Sequence, residues 1–301
     1  MFLLAAEGGH HTPLIVEFIN HYLGEPVYRF QMAYTYPAWQ WFLDKIGVDA
    51  KPEAILGPYS PETAIPWYTI MFIIACLLTV AVIWIFKGKL SEDDPQRGQL
   101  TLEAGFLAIK DLVVSVIGEH GYRYFPVVAT FAVLVLISNL MGLFPLFMAP
   151  TASTSVTFAL GISSFVYYNY VGISENGIIK HLGHFAGPKL PLLMALIITP
   201  LIFGIELISS SIRPFTLGIR LFANMFADEQ ITLQISSLYA PFTQFLLPIV
   251  LMPLAVFVAF VQTLVFTLLS MIYISEVTHA PHEHTDEEHA TEHGEAVAAH
   301  A

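Results

Sequence analysis

The sequence predicts an all-α membrane protein with about five membrane segments, the last two long and strongly tilted, and an amphipathic helix on the membrane surface. Three observations carry that prediction. Of 301 residues, 55% are hydrophobic and 12% charged, with mean hydropathy +0.66, the balance of a multi-span chain rather than a soluble domain. Three apolar blocks run for about 20 residues without a formal charge, the length a helix needs to cross ~30 Å of hydrocarbon. The densest group of basic residues, finally, lies in one loop. The net charge of −12 argues against nucleic acid as a partner, because phosphate binding needs a basic surface.

In chain order, residues 1–65 read as an interfacial segment on the outer side. An amphipathic piece at Pro13 to Leu23 precedes aromatic-rich sequence, where Tyr34, Tyr36, Trp39 and Trp41 suit the headgroup layer. A Pro/Gly linker then leads to Pro61. Met1 to Glu7 is too short in apolar residues and lacks a basic start for a signal peptide, so the N-terminus is expected to be retained. The membrane domain spans residues 66–277. Its first segment, Pro66 to Phe86, holds the single cysteine, Cys76, so one chain can form no internal disulfide. Lys87, Lys89, Arg97, Lys110 and Arg123 follow, and the positive-inside rule assigns this loop to the cytoplasm. Within it Leu102, Phe106, Ile109, Val113, Val116 and Ile117 recur at three- and four-residue steps, the stripe of a surface-lying helix.

Phe125 to Met148 then runs outward and Thr151 to Val171 returns, to a loop with Lys180 and Lys189. Leu190 to Leu238 and Pro241 to Ile274 are too long to stand upright, at roughly 70 and 50 Å as continuous helices. They must tilt, break at Pro200, Pro214 or Pro248, or lie partly along the membrane. Residues 278–301 form a His- and acid-rich tail, expected to be disordered; seven acidic residues lie from Glu276 onward with no Lys or Arg. Its histidines have no fixed ligand spacing, so no metal or cofactor is expected.

The chemistry is concentrated in the fourth segment. Glu206, Arg213, Thr216, Arg220 and Asn224 fall at about +40°, +20°, −40°, 0° and +40° around a helix, one narrow polar face among Leu, Ile, Phe and Met. Leu217 also falls near this face, with Leu221 displaced by about 100°. Arg220 stands deep in the apolar run, where a guanidinium costs from about 2.5 to as much as 17 kcal/mol depending on the scale, so it marks an ion path or a counter-charge. Glu229 lies about half a turn away from it and is expected in a vestibule with Gln262 of the last segment. The spans offer no acid level with Arg220. Buried charges are nearly always paired, so its partner is expected on another chain.

The segment Ile205-Glu206-Leu207-Ile208-Ser209-Ser210-Ser211-Ile212-Arg213-Pro214-Phe215-Thr216-Leu217-Gly218-Ile219-Arg220-Leu221-Phe222-Ala223-Asn224-Met225 resembles the signature of subunit a of F-type ATP synthases. Ser138 to Pro145, Gln262 to Phe266 and His184 to Pro188 resemble its supporting motifs. The resemblance covers roughly Pro66 to Val277. It implies a non-catalytic, proton-translocating stator subunit of the membrane sector, multi-pass in a bacterial inner membrane, N-terminus outside and C-terminus cytoplasmic. Arg220 would be the essential arginine facing the c-ring carboxylates. Asn139, Asn224, Glu229 and Gln262 would line the half-channel open to the outside, and Glu206, Arg213 and Thr216 the one open to the cytoplasm. The implied partners are the c-ring, b-type peripheral stalk subunits, other ATP synthase subunits and membrane lipid. Gly142 departs from members with an acid there, and Ala255 from those with an imidazole. The alternative, a secondary ion transporter with an intramembrane charge site, would need its own mid-membrane carboxylate and usually an internal repeat; the sequence has neither.

Overall fold

The computed structural model describes residues 13–47, 60–61, 64–88, 91, 95–144, 147–184, 192–238 and 242–279. The expected linker before Pro61, most of the His184 to Pro188 motif and the tail beyond His279 lie outside these residues. The described chain is helical throughout: α1 (Leu14–Phe30), α2 (Tyr36–Ile46), α3 (Trp67–Lys87), α4 (Arg97–Ile117), α5 (Phe125–Met141), α6 (Thr154–His184), α7 (Leu192–Leu238) and α8 (Phe242–His279). Five of these, α3 and α5 to α8, are long and apolar enough to span a membrane.

The N-terminal residues form one helical arm rather than separate pieces, because π-helical Gln31–Thr35 joins α1 to α2 without a break. The arm is tied to the start of α3. Asn20 bonds both the N–H and the carbonyl of Ile65 at 3.1 Å, Gln31 Nε2 donates to the Ala64 carbonyl at 2.8 Å, and Val16 packs with Ile70, Met71 and Ala75. Phe18, Tyr22, Tyr34 and Trp41 of the arm face outward.

The stripe of α4 is spent on protein at its C-terminal end. Val113 and Ile117 are buried with Tyr124 and Val128 of the next elements, Tyr168 and Val171 of α6, and Met271 and Ile274 of α8. Ser275 adds a hydrogen bond to the Val116 carbonyl at 2.9 Å. The helix thus docks on the end of α8 instead of only floating on lipid.

Two spans differ from their expected limits. α5 stops at Met141 rather than Met148, because the chain folds back tightly at Gly142, where a Cβ would sit 2.9 Å from that of Ala149. A side chain at Gly142 would therefore have to displace Ala149. α6 runs beyond Val171 and changes direction at Gly177, whose φ of 74° only glycine adopts readily.

α7 settles the length question at its prolines. It is continuous over 47 residues with Pro200 and Pro214 inside it, about 70 Å at helical rise. A break is excluded, leaving tilt or a surface-lying part to absorb the excess. α6 and α7 are antiparallel: Thr157, Gly161 and Tyr168 meet Gly218, Pro214 and Ser210 in reverse order. Between them lies the central core of Val135, Val156, Leu160, Leu217, Leu221 and Phe266.

Candidate functional site

α7 approaches α6 closely because glycine faces backbone at the crossing. A Cβ on Gly161 would lie 2.5 Å from the Pro214 carbonyl oxygen, and one on Gly218 would lie 3.0 Å from that of Thr157. Small residues permit such contact in membranes. This contact buries Pro214, Leu217, Gly218, Leu221 and Met225, so the opposite side of α7 must face outward. There Ile205, Ile208, Ile212, Phe215 and Ile219 are each more than half exposed.

Arg220 stands on the outward side, at its edge nearest α8. It is exposed, and no described residue bonds or ion-pairs with it. Leu217, expected on the same face, is 2% exposed in the central core. The reason is geometric: the outward face is centred on the side of Thr216 and Ile219, so the +60° direction already points into the protein.

The polar stripe is divided by function of its neighbours. Asn224 Nδ2 donates to Gln262 Oε1 at 2.5 Å, joining α7 to α8. Toward the other end Arg213 donates through Nη2 to Glu276 Oε1 at 2.8 Å and through Nη1 to Oε2, a fork-to-fork pair. The same guanidinium stands 5.2 Å from the ring centre of Tyr273. Glu206 Oε1 is 3.6 Å from Arg213 Nη2, close enough for charge attraction and too far for a good hydrogen bond. One turn away from Arg213, Ser210 and Tyr168 share a buried hydroxyl contact of 2.8 Å. Thr216 takes no part in this cluster; its hydroxyl turns back to the Ile212 carbonyl at 3.0 Å.

The four residues expected in one outer vestibule occupy three places. Asn224 and Gln262 form the pair just described. Glu229 lines a cavity of about 310 Å³ between the start of α3, the start of α6 and α7, together with Trp67, Tyr68, Ser153, Ser155 and Phe226. Asn139 is 1% exposed, its Oδ1 accepting from Thr151 at 2.8 Å, while its Nδ2 and the neighbouring Ser138 hydroxyl have no partner among the described residues. Buried polar groups are seldom left so. All three places lie at the end of the bundle that carries the N-terminal arm, and the Arg213 cluster lies toward the opposite end.

Sequence reasoning missed Glu276, which was grouped with the acidic tail. A usable signal was present: an acid in the last turn of a helix opposes the macrodipole and calls for a cation beside it. Thr151, Tyr168 and Tyr273 were missed because none is unusual in a span by type alone.

Comparison with known proteins bears directly on this arrangement. The family described as ATP synthase A chain matches residues 69–275. ATP synthase subunit a of Solibacter usitatus is 38% identical over 227 residues, covering 75% of this chain and 92% of that protein. The namesake from Aquifex aeolicus is 36% identical over 211 residues, 68% and 94% of the two chains, and that from Geotalea daltonii is 40% identical over 202 residues, 67% and 82%. The matched region contains every element that positions Arg220, from the Gly161 and Gly218 crossing to the Asn224–Gln262 pair, and on that basis the chain belongs to the ATP synthase A chain family.

Proposed function

We propose that this subunit conducts protons through two offset aqueous half-paths separated by Arg220, which faces the carboxylates of a rotating c-ring. The observation that carries the reading is the exposed Arg220, unpaired by any described residue, on the outward apolar side of α7. A charge so placed requires an acid from elsewhere. The outer half-path holds Glu229 in its cavity, the Asn224–Gln262 pair and Asn139 with Thr151; the inner holds Glu206, Arg213 and Thr216. ATP chemistry belongs to other subunits, and b-type stalk subunits would hold this one still.

The physical logic is as follows. A protonated ring carboxylate is neutral and crosses lipid, whereas an ionised one is penalised. Protons entering by one half-path must therefore travel round with the ring before leaving by the other. Arg220 places a guanidinium charge between the two half-paths. It favours the ionised carboxylate, so the proton is released, and it interrupts a direct wire of water between the two halves. Each crossing contributes about 2.3 kcal/mol per 100 mV of potential. The arm side is then the exterior of a bacterial inner membrane and the Glu276 end the cytoplasm.

The test is Arg220→Ala in membrane vesicles containing the whole complex. ATP synthesis and coupled pumping are expected to fall to background while the chain remains inserted. Synthesis at near-normal rate would remove the barrier role. Arg220→Lys is expected to fail largely as well, because an ammonium is more strongly hydrated and lacks the planar fork.

A further inference from the structure

The cluster around Arg213 contains two carboxylates and one cation, and the cation is unequally shared. Glu276, projecting from the last turn of α8, takes both terminal nitrogens of the guanidinium. Glu206, on Arg213's own helix, has only the 3.6 Å approach and no hydrogen bond to it. Tyr273, one turn before Glu276, holds the guanidinium plane from the α8 side, and Tyr168 of α6 reaches the same region through Ser210. Among the described residues, these are the titratable groups placed around Arg213. With the three charged groups ionised, the cluster carries one net negative charge.

A bidentate pair occupies two of the five N–H donors of an arginine and fixes the direction of its fork, so the side that holds the fork decides how closely it approaches Glu206. We propose that Glu276 is a positioning residue that holds Arg213 on α8, leaving Glu206 as the unclaimed carboxylate that exchanges protons with the water at this end. Without Glu276 the arginine fork is free to close on Glu206, and a carboxylate clasped by both arms of a guanidinium is no longer open to exchange protons with water. The inference rests on the inner-path reading of Glu206 and Arg213, and it explains why an acid sits in a final helical turn, where the macrodipole disfavours it.

The experiment compares Glu206→Gln, Glu276→Gln, Glu276→Asp and the double variant Glu276→Gln with Arg213→Gln, as whole complexes in vesicles. Proton flux is normalised to inserted chain and followed against pH on the Glu276 side. Glu276→Gln is expected to slow flux severalfold. Removing the arginine as well is expected to recover part of the loss, since no cation is then left to close on Glu206 although a residue of the path is missing, and Glu276→Asp is expected to stay near the parent. Equal slowing in the single and double variants would mean a mere clasp between helices and would overturn the inference. So would an unchanged Glu276→Gln beside a slow Glu206→Gln, although the inner path would then stand. If Glu206→Gln itself ran at the parent rate, path and inference would both fall.

Discussion

At the scale of single residues, the Asn224–Gln262 contact is the most exacting part of the outer half-path. Gln262 is 3% exposed, so Asn224→Leu leaves its buried amide unpaired, at about 1–3 kcal/mol, and Gln262→Leu takes a polar step out of the path. Asn224→Leu and Gln262→Leu are expected to slow proton flux without opening a leak, because Arg220 remains. ATP-driven acidification of vesicles measures the first effect and passive flux with the rotor blocked measures the second; a leak in either variant would show that the pair helps form the barrier. Arg220 itself was legible from sequence, since a guanidinium in an apolar run is rare in any span. Glu276 was not, because its role depends on an arginine far away in sequence that only packing brings beside it. Leu217 was misplaced for a related reason: angular position around a helix gives relative faces, and only neighbours decide which of them is outward.

At the scale of elements, the α6–α7 crossing fixes where Arg220 points. Gly161 and Gly218 let the two backbones meet, and a larger side chain at either must push the helices apart or rotate them. Gly161→Leu is expected to lower the amount of inserted, protease-resistant chain severalfold, by overpacking that commonly costs about 1–3 kcal/mol and more where backbone is met. Gly105→Ala is the matched control, since a Cβ there meets nothing within 4 Å; it should leave the amount unchanged. Equal accumulation of the Gly161 variant would show that this crossing does not limit assembly. The outward side gives a second expectation. Cysteines at Ile219 and Ala223 should form disulfides with cysteines beside the ring carboxylate, while Leu217 and Leu221, both in the core, should not. Cross-linking through Leu221 would demand a rotated α7.

Hydropathy located the starts of the spans within a few residues because burial in lipid depends on local composition. It could not tell the end of α5 from its turn, since Gly142 to Met148 are as apolar as the helix before them. Nor could it choose between tilt and a break for α7. Proline removes one hydrogen bond, and whether a helix survives that loss depends on packing around it.

At the scale of the whole molecule, the five spans leave the N-terminal arm and the Arg213 cluster at opposite ends, with the Glu229 cavity at the arm end. Sidedness of thiol labelling tests the assignment. Cysteines at Glu229 and Ser155, both lining the cavity, are expected to react with a membrane-impermeant reagent from the exterior only. Labelling from the cytoplasmic side alone would invert the topology while leaving the internal geometry as described.

The two polar ties between α7 and α8 have a mechanical meaning on the rotary reading. Arg213–Glu276 and Asn224–Gln262 are separated by about 16 Å along α7, and Arg220 stands between them with no described bond of its own. A ring pressing sideways on this arginine loads α7 as a beam supported at both ends. The reaction force passes into α8, which is itself held by α4, α5 and α6, so the contact that must let go of each passing carboxylate can stay weak while the frame around it stays stiff.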